Sequence, residues 1–476
     1  MTSIGTARVL DLVGDLADAR PPLYVALADR VRLLVGDGRL PIGSRLPAER
    51  ELAAGLHLSR ATVAAAYARL RDQGWADARQ GAGTWTRLPA GPSPGGWLPS
   101  PPRPGVIDLA HAASAAPPQV PAAFAAALDD LPRLLPSHGY HPQGLPELRA
   151  RVAERYTERG LPTTAEQVLI TSGALHAVAV AVETVAPRGS RVLVEHPTYP
   201  NALDAIRVLG RRPVPVSISA DDPDGAVRDL TRAARETAPR AAYLMPDFHN
   251  PTGMLLDPTQ RRRLAVGLEQ AGVVAVVDET VVDLGLDVAA PAPFAAGARP
   301  GTVVTVGSMS KSVWGGLRVG WLRAEEDAVR RAAVVAGHTQ MSGPVLEQLA
   351  ACHLLDAWAE VTAGRRDELR RQRDVLLAAL AVHLPAWEVR VPAGGLVLWS
   401  RLPSRSSSAL VSAAEGRGLL LAAGPRFGTG HAFEDRLRLP YTQPPAVLEA
   451  GVALLAAVAD ELPTGRSVAA GHQLVV

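Results

Sequence analysis

Lysine is nearly missing from this 476-residue chain: of 49 basic side chains only Lys311 is a lysine, and the other 48 are arginines. Arginine can serve wherever positive charge alone is needed, but it forms no imine. A position that keeps the primary amine is therefore a candidate for carbonyl chemistry. Cysteine is equally scarce. Cys352 stands alone, which excludes an internal disulfide and any multi-thiolate metal site, and no metal centre is expected. Every Ala/Val-rich stretch is broken by charge, Gly or Pro before the roughly 20 residues a membrane span needs. The first twenty residues carry acids and lack a basic start followed by an apolar core, so no secretory leader is expected and the chain reads as cytoplasmic. The net charge of +2 argues neither for nor against a polyanionic partner; a nucleic-acid surface would have to be local.

What is present divides into three segments. Residues 20–86 are charged and helix-patterned and end in a Gly-rich turn. Residues 87–105 (RLPAGPSPGGWLPSPPRPG) are mostly Pro, Gly and Ser, which suits neither a helix nor an interior strand. At about 3.1 Å per residue such a linker could reach some 50–60 Å if extended. Residues 106–466 alternate short Val/Leu/Ile-rich runs (167–171, 191–195, 241–245, 273–277 and 302–306) with longer amphipathic stretches. Strands buried on both faces and separated by helices predict a mostly parallel α/β sheet. Residues 1–19 and 467–476 carry no motif.

In the first segment, Leu23, Leu27, Val31 and Leu34 share one helical face. A second short helix begins near Pro47-Ala48-Glu49, where proline and acid suit a first turn. Ser59 is an N-cap for a third, with Val63, Tyr67 and Leu70 inward. Gly74-Trp75 is expected to open a strand, Gln80-Gly81-Ala82-Gly83 a tight turn, and Thr84-Trp85-Thr86 the return. Three helices and a Gly-tipped hairpin are the parts of a winged helix-turn-helix, although a solvated bundle with surface arginines fits the same pattern. The string G-R-L-P-I-G-S-R-L-P-A-E-R-E-L-A…L-S-R-A-T-V…A-Y-A-R-L-R-D-Q-G-W…G-A-G-T resembles the DNA-binding domain of the GntR family throughout residues 23–86. The resemblance implies that Arg50, Ser59, Arg60 and Thr62 meet phosphates and base edges of double-stranded operator DNA. It places the wing residues Gln80 and Gly81 in the adjacent minor groove. Arg60, whose fork matches guanine O6 and N7, is the best base reader. Ala64 stands where some members carry a further arginine.

In the long segment, Gly307-Ser308-Met309-Ser310-Lys311-Ser312 follows an apolar run and precedes Gly315-Gly316-Leu317-Arg318. An amine flanked by hydroxyls, with an arginine seven residues on, suits a phosphorylated aldehyde. Asp278 ends another run, at the strand end where open α/β sheets bind ligands. His249-Asn250-Pro251-Thr252-Gly253 and Thr171-Ser172-Gly173-Ala174 also follow runs, the second at a helix start suited to phosphate. Each of these is also ordinary turn or capping chemistry. Together, over about 106–466, they resemble fold-type I pyridoxal-phosphate enzymes of the aminotransferase class I/II group, with large and small subdomains. That resemblance implies pyridoxal 5'-phosphate held by Lys311 as Schiff-base lysine, Asp278 at the pyridine nitrogen and Asn250 near the 3′-oxygen. Gly173, Ala174, Ser308 and Arg318 would hold the phosphate, and Tyr199 would stack on the ring. Tyr140, in G-Y-H-P-Q-G, would reach a neighbouring subunit's phosphate in a homodimer. Arg438 would clamp an α-carboxylate, ahead of Arg436. The family's tyrosine two or three residues beyond the acid is replaced by Thr280 and Val281, which should weaken transamination more than cofactor binding.

Head, Pro-rich linker and body in this order resemble the MocR subfamily of GntR regulators. The implied function is a transcription regulator sensing pyridoxal phosphate, or its aldimine with an amino acid or amine. The linker leaves each head free to pack on the other protomer's body. One alternative is a pyridoxal-phosphate-dependent aminotransferase with a vestigial or structural head; another is a repressor whose body has lost the cofactor.

Overall fold

In the computed structural model, which describes residues 5–14, 16, 22–36, 39–79, 83–87, 104–404, 406–429 and 432–461, the head is built on four helices. These are α1 (Thr6–Val13), α2 (Leu23–Gly36), α3 (Glu49–Leu56) and α4 (Arg60–Asp72). Leu27, Val31 and Leu34 of α2 are fully buried against Val63, Tyr67 and Leu70 of α4, as the spacing predicts. Helix α1, on which the sequence carries no motif, adds Val9, Leu12 and Val13 to the same core. The Tyr67 hydroxyl donates to the Pro47 carbonyl at 2.9 Å, tying α4 to the turn before α3. The hairpin pairs β1 (Ala76–Arg79) with β2 (Gly83–Thr86), Ala76 opposite Thr86. It opens later than expected. Gly74, at φ +76°, turns the chain, and the Trp75 N–H still closes on the Leu70 carbonyl at the end of α4. The wing tip with Gln80 and Gly81 lies outside the described residues.

In the body, β3 (Ile107–Leu109) belongs to a smaller sheet taken up below. The main sheet holds β4 (Val168–Thr171), β5 (Arg191–His196), β6 (Arg212–Ser217), β7 (Ala241–Leu244), β8 (Val274–Asp278), β9 (Val303–Ser308) and β10 (Gly320–Arg323). Their order is β4-β10-β9-β8-β7-β5-β6. From β9 to β6 all neighbours are parallel, while β10 runs antiparallel to both β4 and β9. The five apolar runs named above are β4, β5, β7, β8 and β9. Strand β10 escapes a reading based on alternation with helices because only a short loop separates it from β9, and so short a return forces an antiparallel strand. Gly307 is required on β9: any Cβ there would overlap the indole of Trp321 on β10.

The second sheet is ordered β11-β13-β12-β3, with β11 (Val397–Arg401), β12 (Leu419–Ala423) and β13 (Arg436–Pro440). Helices Trp358–His383 and Pro445–Glu461 cover it, sharing Leu369, Leu376, Leu437, Leu439, Leu448 and Val452 in one core.

The other side of α2 rests on this small subdomain. Arg32 Nη1 pairs with Glu415 Oε2 at 2.7 Å and Nη2 donates to Ser412 Oγ at 2.6 Å. Arg30 pairs with Glu434 and donates to Ser408 Oγ at 3.2 Å. Leu33 packs against the subdomain core. The head thus contacts the body of its own chain, in contrast to the crossed packing that the linker length permits. Among the described residues no helix is long and apolar enough to cross a membrane, and no group of three or more His, Cys, Asp or Glu could hold a metal ion.

Candidate functional site

The body's sheet delivers side chains to one place because each parallel strand ends on the same side. Strand β8 ends at Asp278 and β9 at Ser308, three residues before Lys311; β5 is followed by Tyr199, β7 by Asn250 and β4 by Gly173. Lys311 Nζ donates to the Ala112 carbonyl at 2.8 Å. Part of the side chain is exposed, but protein crowds the amine. Burial first, then the positive Arg438, lower its pKa to about 8, Arg318 adds to the effect, and Asp278 offsets it only in part. The amine therefore sheds its proton more readily than an ordinary lysine, as a nucleophile toward an aldehyde must.

Asp278 is buried and held by three donors. Tyr243 Oη donates to Oδ2 at 2.8 Å, while the Thr280 N–H at 2.9 Å and the Thr280 hydroxyl both reach Oδ1. Tyr243 had no place in the sequence reading. It lies 35 residues before the acid, and only the pairing of β7 with β8 makes them neighbours. The tyrosine absent beyond Asp278 along the chain is thus matched by one on the adjacent strand, although Tyr243 bonds the acid itself. Tyr199 accepts from Asn201 Nδ2 at 3.1 Å, and burial followed by the Asp278 charge raises its pKa. The Asn250 side-chain oxygen is buried with no partner.

Gly173 and Arg318 form a cradle. Gly173 has φ +84°, and a Cβ there would lie 2.8 Å from Arg318 Nη2. Gly320 lies equally close on the other side, its notional Cβ 2.6 Å from the Gly173 carbonyl carbon. Arg318 donates to the Ser172 carbonyl, and Ala174 starts helix Ala174–Val185. Ser308 Oγ donates to the Val319 carbonyl at 3.0 Å and meets Ser310 Oγ at 2.8 Å. His176 also reaches this corner: the Ser172 N–H donates to its Nδ1 at 3.2 Å, and burial, then Arg318, lower its pKa.

Arg438, on β13, enters from the small sheet. It donates to the Ala110 carbonyl and lies over the Phe427 ring at 5.0 Å, with Nε buried and unpartnered. Burial and then Arg426 lower its pKa to about 10. Arg436, on the same strand, sits beside Asp435 at 3.9 Å. Tyr140 is not drawn into this cluster within one chain; it is 55% exposed and its ring tilts against His138 at 5.6 Å.

On the head, the Ser59 hydroxyl accepts from the Thr62 N–H at 3.0 Å and shares a hydrogen bond with the Thr62 hydroxyl at 2.8 Å, so both serve the start of α4. The Arg60 side chain is 76% exposed, with only a long pair to Glu49 at 3.7 Å. Arg50 is exposed. Arg45, not singled out from sequence, is exposed beside Gly83 at the base of the wing.

Comparison with known proteins places both halves. Residues 111–454 match the family Aminotransferase class I and II, and residues 23–85 match Bacterial regulatory proteins, gntR family. The chain is 26% identical to the uncharacterized HTH-type transcriptional regulator YdfD of Bacillus subtilis, over 88% of this chain and 93% of that protein. It is 28% identical to the uncharacterized HTH-type transcriptional regulator YdcR of Escherichia coli, over 86% and 92%. A 2-aminoadipate transaminase of Thermus thermophilus is 32% identical over 64% of this chain and 76% of its own. Among solved structures, the alpha-aminoadipate aminotransferase LysN from Thermus thermophilus, complexed with N-(5'-phosphopyridoxyl)-L-leucine, superposes with a TM-score of 0.67 at 28% identity. That match covers 75% of this chain and 92% of LysN.

Proposed function

This chain belongs to the aminotransferase class I and II family and carries a gntR-family head, and from that premise we propose that it is a pyridoxal-phosphate-binding transcription regulator of the MocR architecture. Its head (20–86) binds operator DNA, its linker is 87–105, and its body (106–466) senses an amino acid or amine in the cytoplasm. The observation that carries the reading is the coexistence of two full sets of groups in one chain. An exposed Arg60 starts α4 of the head, and the single lysine lies among Asp278, Arg318 and Arg438.

The residues present fit the cofactor. The Gly173–Gly320 cradle leaves no room for a Cβ and presents the Arg318 guanidinium, as a phosphate site requires. With Ala174 at a helix start and Ser308 alongside, these groups would hold the phosphate. Asp278 would face the ring nitrogen, held in place by Tyr243 and Thr280; Asn250 would meet the 3′-oxygen, Tyr199 would stack, and Lys311 would hold the aldehyde. When bound, the cofactor supplies an electrophile for amines and a ring that withdraws electrons. Arg438 orients an incoming α-carboxylate. Release of the Ala110 and Ala112 carbonyls from Arg438 and Lys311 lets the segment after β3 rearrange. In a homodimer the exposed Tyr140 would reach the neighbour's phosphate.

An effector changes operator affinity only by binding the DNA-competent and incompetent arrangements differently; typical couplings of about 1–3 kcal/mol give about 5–150-fold. The test is titration of the protein onto DNA from its own upstream region, at fixed salt, with and without pyridoxal phosphate. The expected result is a specific complex whose affinity shifts with the cofactor. Tight binding indifferent to the cofactor would remove the sensing role. The similarity to a 2-aminoadipate transaminase favours the second reading, a working aminotransferase with a structural head. Single-turnover conversion of bound cofactor separates the two: fast cycling with amino and keto acids in both directions favours the enzyme, stable trapping the sensor.

A further inference from the structure

We propose that α2 carries the effector signal from the pocket to α4, because two arginine–glutamate pairs clamp it to the small subdomain of its own chain. The inference rests on the functions proposed above for pocket and head, and adds the contact through which one regulates the other.

Helix α2 is engaged on two faces. Leu27, Val31 and Leu34 pack with Val63, Tyr67 and Leu70 of α4, the helix that Arg60 starts. A second face lies on helix Ser407–Glu415 of the small subdomain and grips it near both ends. At its C-terminal end Arg32 Nη1 meets Glu415 Oε2 at 2.7 Å, and Nη2 donates to Ser412 Oγ at 2.6 Å. At its N-terminal end Arg30 pairs with Glu434 and donates to Ser408 Oγ at 3.2 Å. Ser408 in turn donates to Glu434 from its N–H at 3.1 Å and from its hydroxyl at 2.8 Å. The charges continue through the head: Asp29 of α2 stands 3.7 Å from Arg32 Nε, and the charges of Arg69 on α4 and of Glu415 also bear on it. A row of alternating sign, Arg69, Asp29, Arg32, Glu415, thus links α4 to the body.

The part of the small subdomain that α2 grips is also tied to the pocket. Ser407 Oγ accepts from the Gly424 N–H at 3.0 Å, and Gly424 opens the short turn that supplies Phe427, the ring against Arg438. The Ser407 N–H donates to the Glu434 carbonyl at 2.9 Å, and Glu434 leads into β13, the strand that carries Arg438. Asp278 and Lys311 stand at the strand ends of the main sheet, whereas Arg438 belongs to the small one. A ligand held by all three bridges the subdomains and fixes their relative position. Charge pairs shielded from solvent are little weakened by salt, so the small subdomain carries α2 with it, and α2 carries α4. The bland role, a contact that only adds stability, would lower the melting temperature and leave the response of DNA binding as it was.

The experiment measures affinity for the upstream DNA at fixed salt, with and without N-(5'-phosphopyridoxyl)-L-alanine, a stable probe that carries the ring, the phosphate and an α-carboxylate. The wild-type affinity is expected to shift by about 5–150-fold. The shift should fall below about twofold in a head-side variant (Arg30→Gln with Arg32→Gln), in a body-side variant (Glu415→Gln with Glu434→Gln) and in their combination, because all three remove the same link. Calorimetry should show the probe binding each variant as it binds the wild type. A shift that persists undiminished in both variants overturns the proposal. Hydrogen exchange on the wild type decides where a variant fails to fold or where DNA affinity ignores the probe. Protection over residues 23–36 that changes when the probe binds supports the link, and unchanged protection there overturns it. DNA affinity indifferent to a bound probe removes the function proposed above, whatever α2 does; failure of the wild type to bind the probe overturns both.

Discussion

At the start of α4 in the head, Arg60 has a 76% exposed side chain and one long ion pair, whereas in the body Arg438 is 7% exposed and packed over an aromatic ring. Both are arginines assigned to an anion. A polyanion as large as DNA must be met on the surface, and the arginine proposed to read it stays solvated at the start of a helix capped by Ser59. A small ligand must be enclosed, so Arg438 is buried with no ion pair to an acid among the described residues and is held by a backbone carbonyl and an aromatic ring. The head–body contact mixes the two. Arg30 and Arg32 lie on a head helix yet pair with Glu434 and Glu415 in a setting where their side chains are only 17% and 14% exposed.

The largest effect should come from Lys311→Ala. Removing the only amine of its kind should abolish covalent cofactor uptake, read as loss of the cofactor's protein-bound absorbance, and with it the cofactor-dependent shift in DNA binding. The head's own affinity for DNA should survive. If it fell equally, the two regions would not be separable as drawn. Arg30→Ala should come next. It leaves Glu434, 6% exposed on its side chain, without its cation, and breaking buried pairs costs about 3–5 kcal/mol. Thermal unfolding should show the head melting earlier and apart from the body. An unchanged single transition would mean that the pair contributes no more than an exposed one.

A smaller loss is expected for Arg60→Ala: about 1–3 kcal/mol, or about 5–150-fold, in specific DNA affinity measured at fixed salt. Cofactor absorbance should be untouched, since Arg60 lies on α4 of the head and Lys311 in the body. Uniform weakening across unrelated DNA sequences would mark it as a phosphate contact instead. The mildest test is pH. The Lys311 amine titrates near 8 rather than 10.5, so its neutral, reactive form dominates above about 8. The rate of cofactor capture by cofactor-free protein should rise with pH, level off above that value, and fall about tenfold per unit below it. Levelling off only near 10.5 would show that burial and Arg438 do not act on the amine as described.

The two regions also differ in how much of them could be read without coordinates. The head's contacts are local: Ser59 caps its own helix, and Val63, Tyr67 and Leu70 follow from helical spacing. Its least legible parts are α1, a two-turn helix with no motif, and the hairpin start, which Gly74 delays. In the body, Lys311 was conspicuous by composition and Asp278 by its place at the end of an apolar run. Tyr243 was not, because its bond to Asp278 depends on the register of two parallel strands. Arg426 was equally silent. Nothing near it in the chain marks it, and its neighbours Asn201 and Tyr199 come from the other subdomain, more than 200 residues earlier.

By itself the sequence determined the chemistry available to this protein: one primary amine, an acid ending a buried strand, a phosphate-suited glycine turn, and a helix-turn-helix pattern with a Gly-rich wing. These are properties of residue type and short-range spacing, and folding does not alter them. The tertiary structure alone decided which groups meet. It set Tyr243 against Asp278, brought the Ala110 carbonyl to Arg438, and laid α2 of the head on the small subdomain. Such contacts join positions tens to hundreds of residues apart, and only packing and strand order bring them within hydrogen-bond reach.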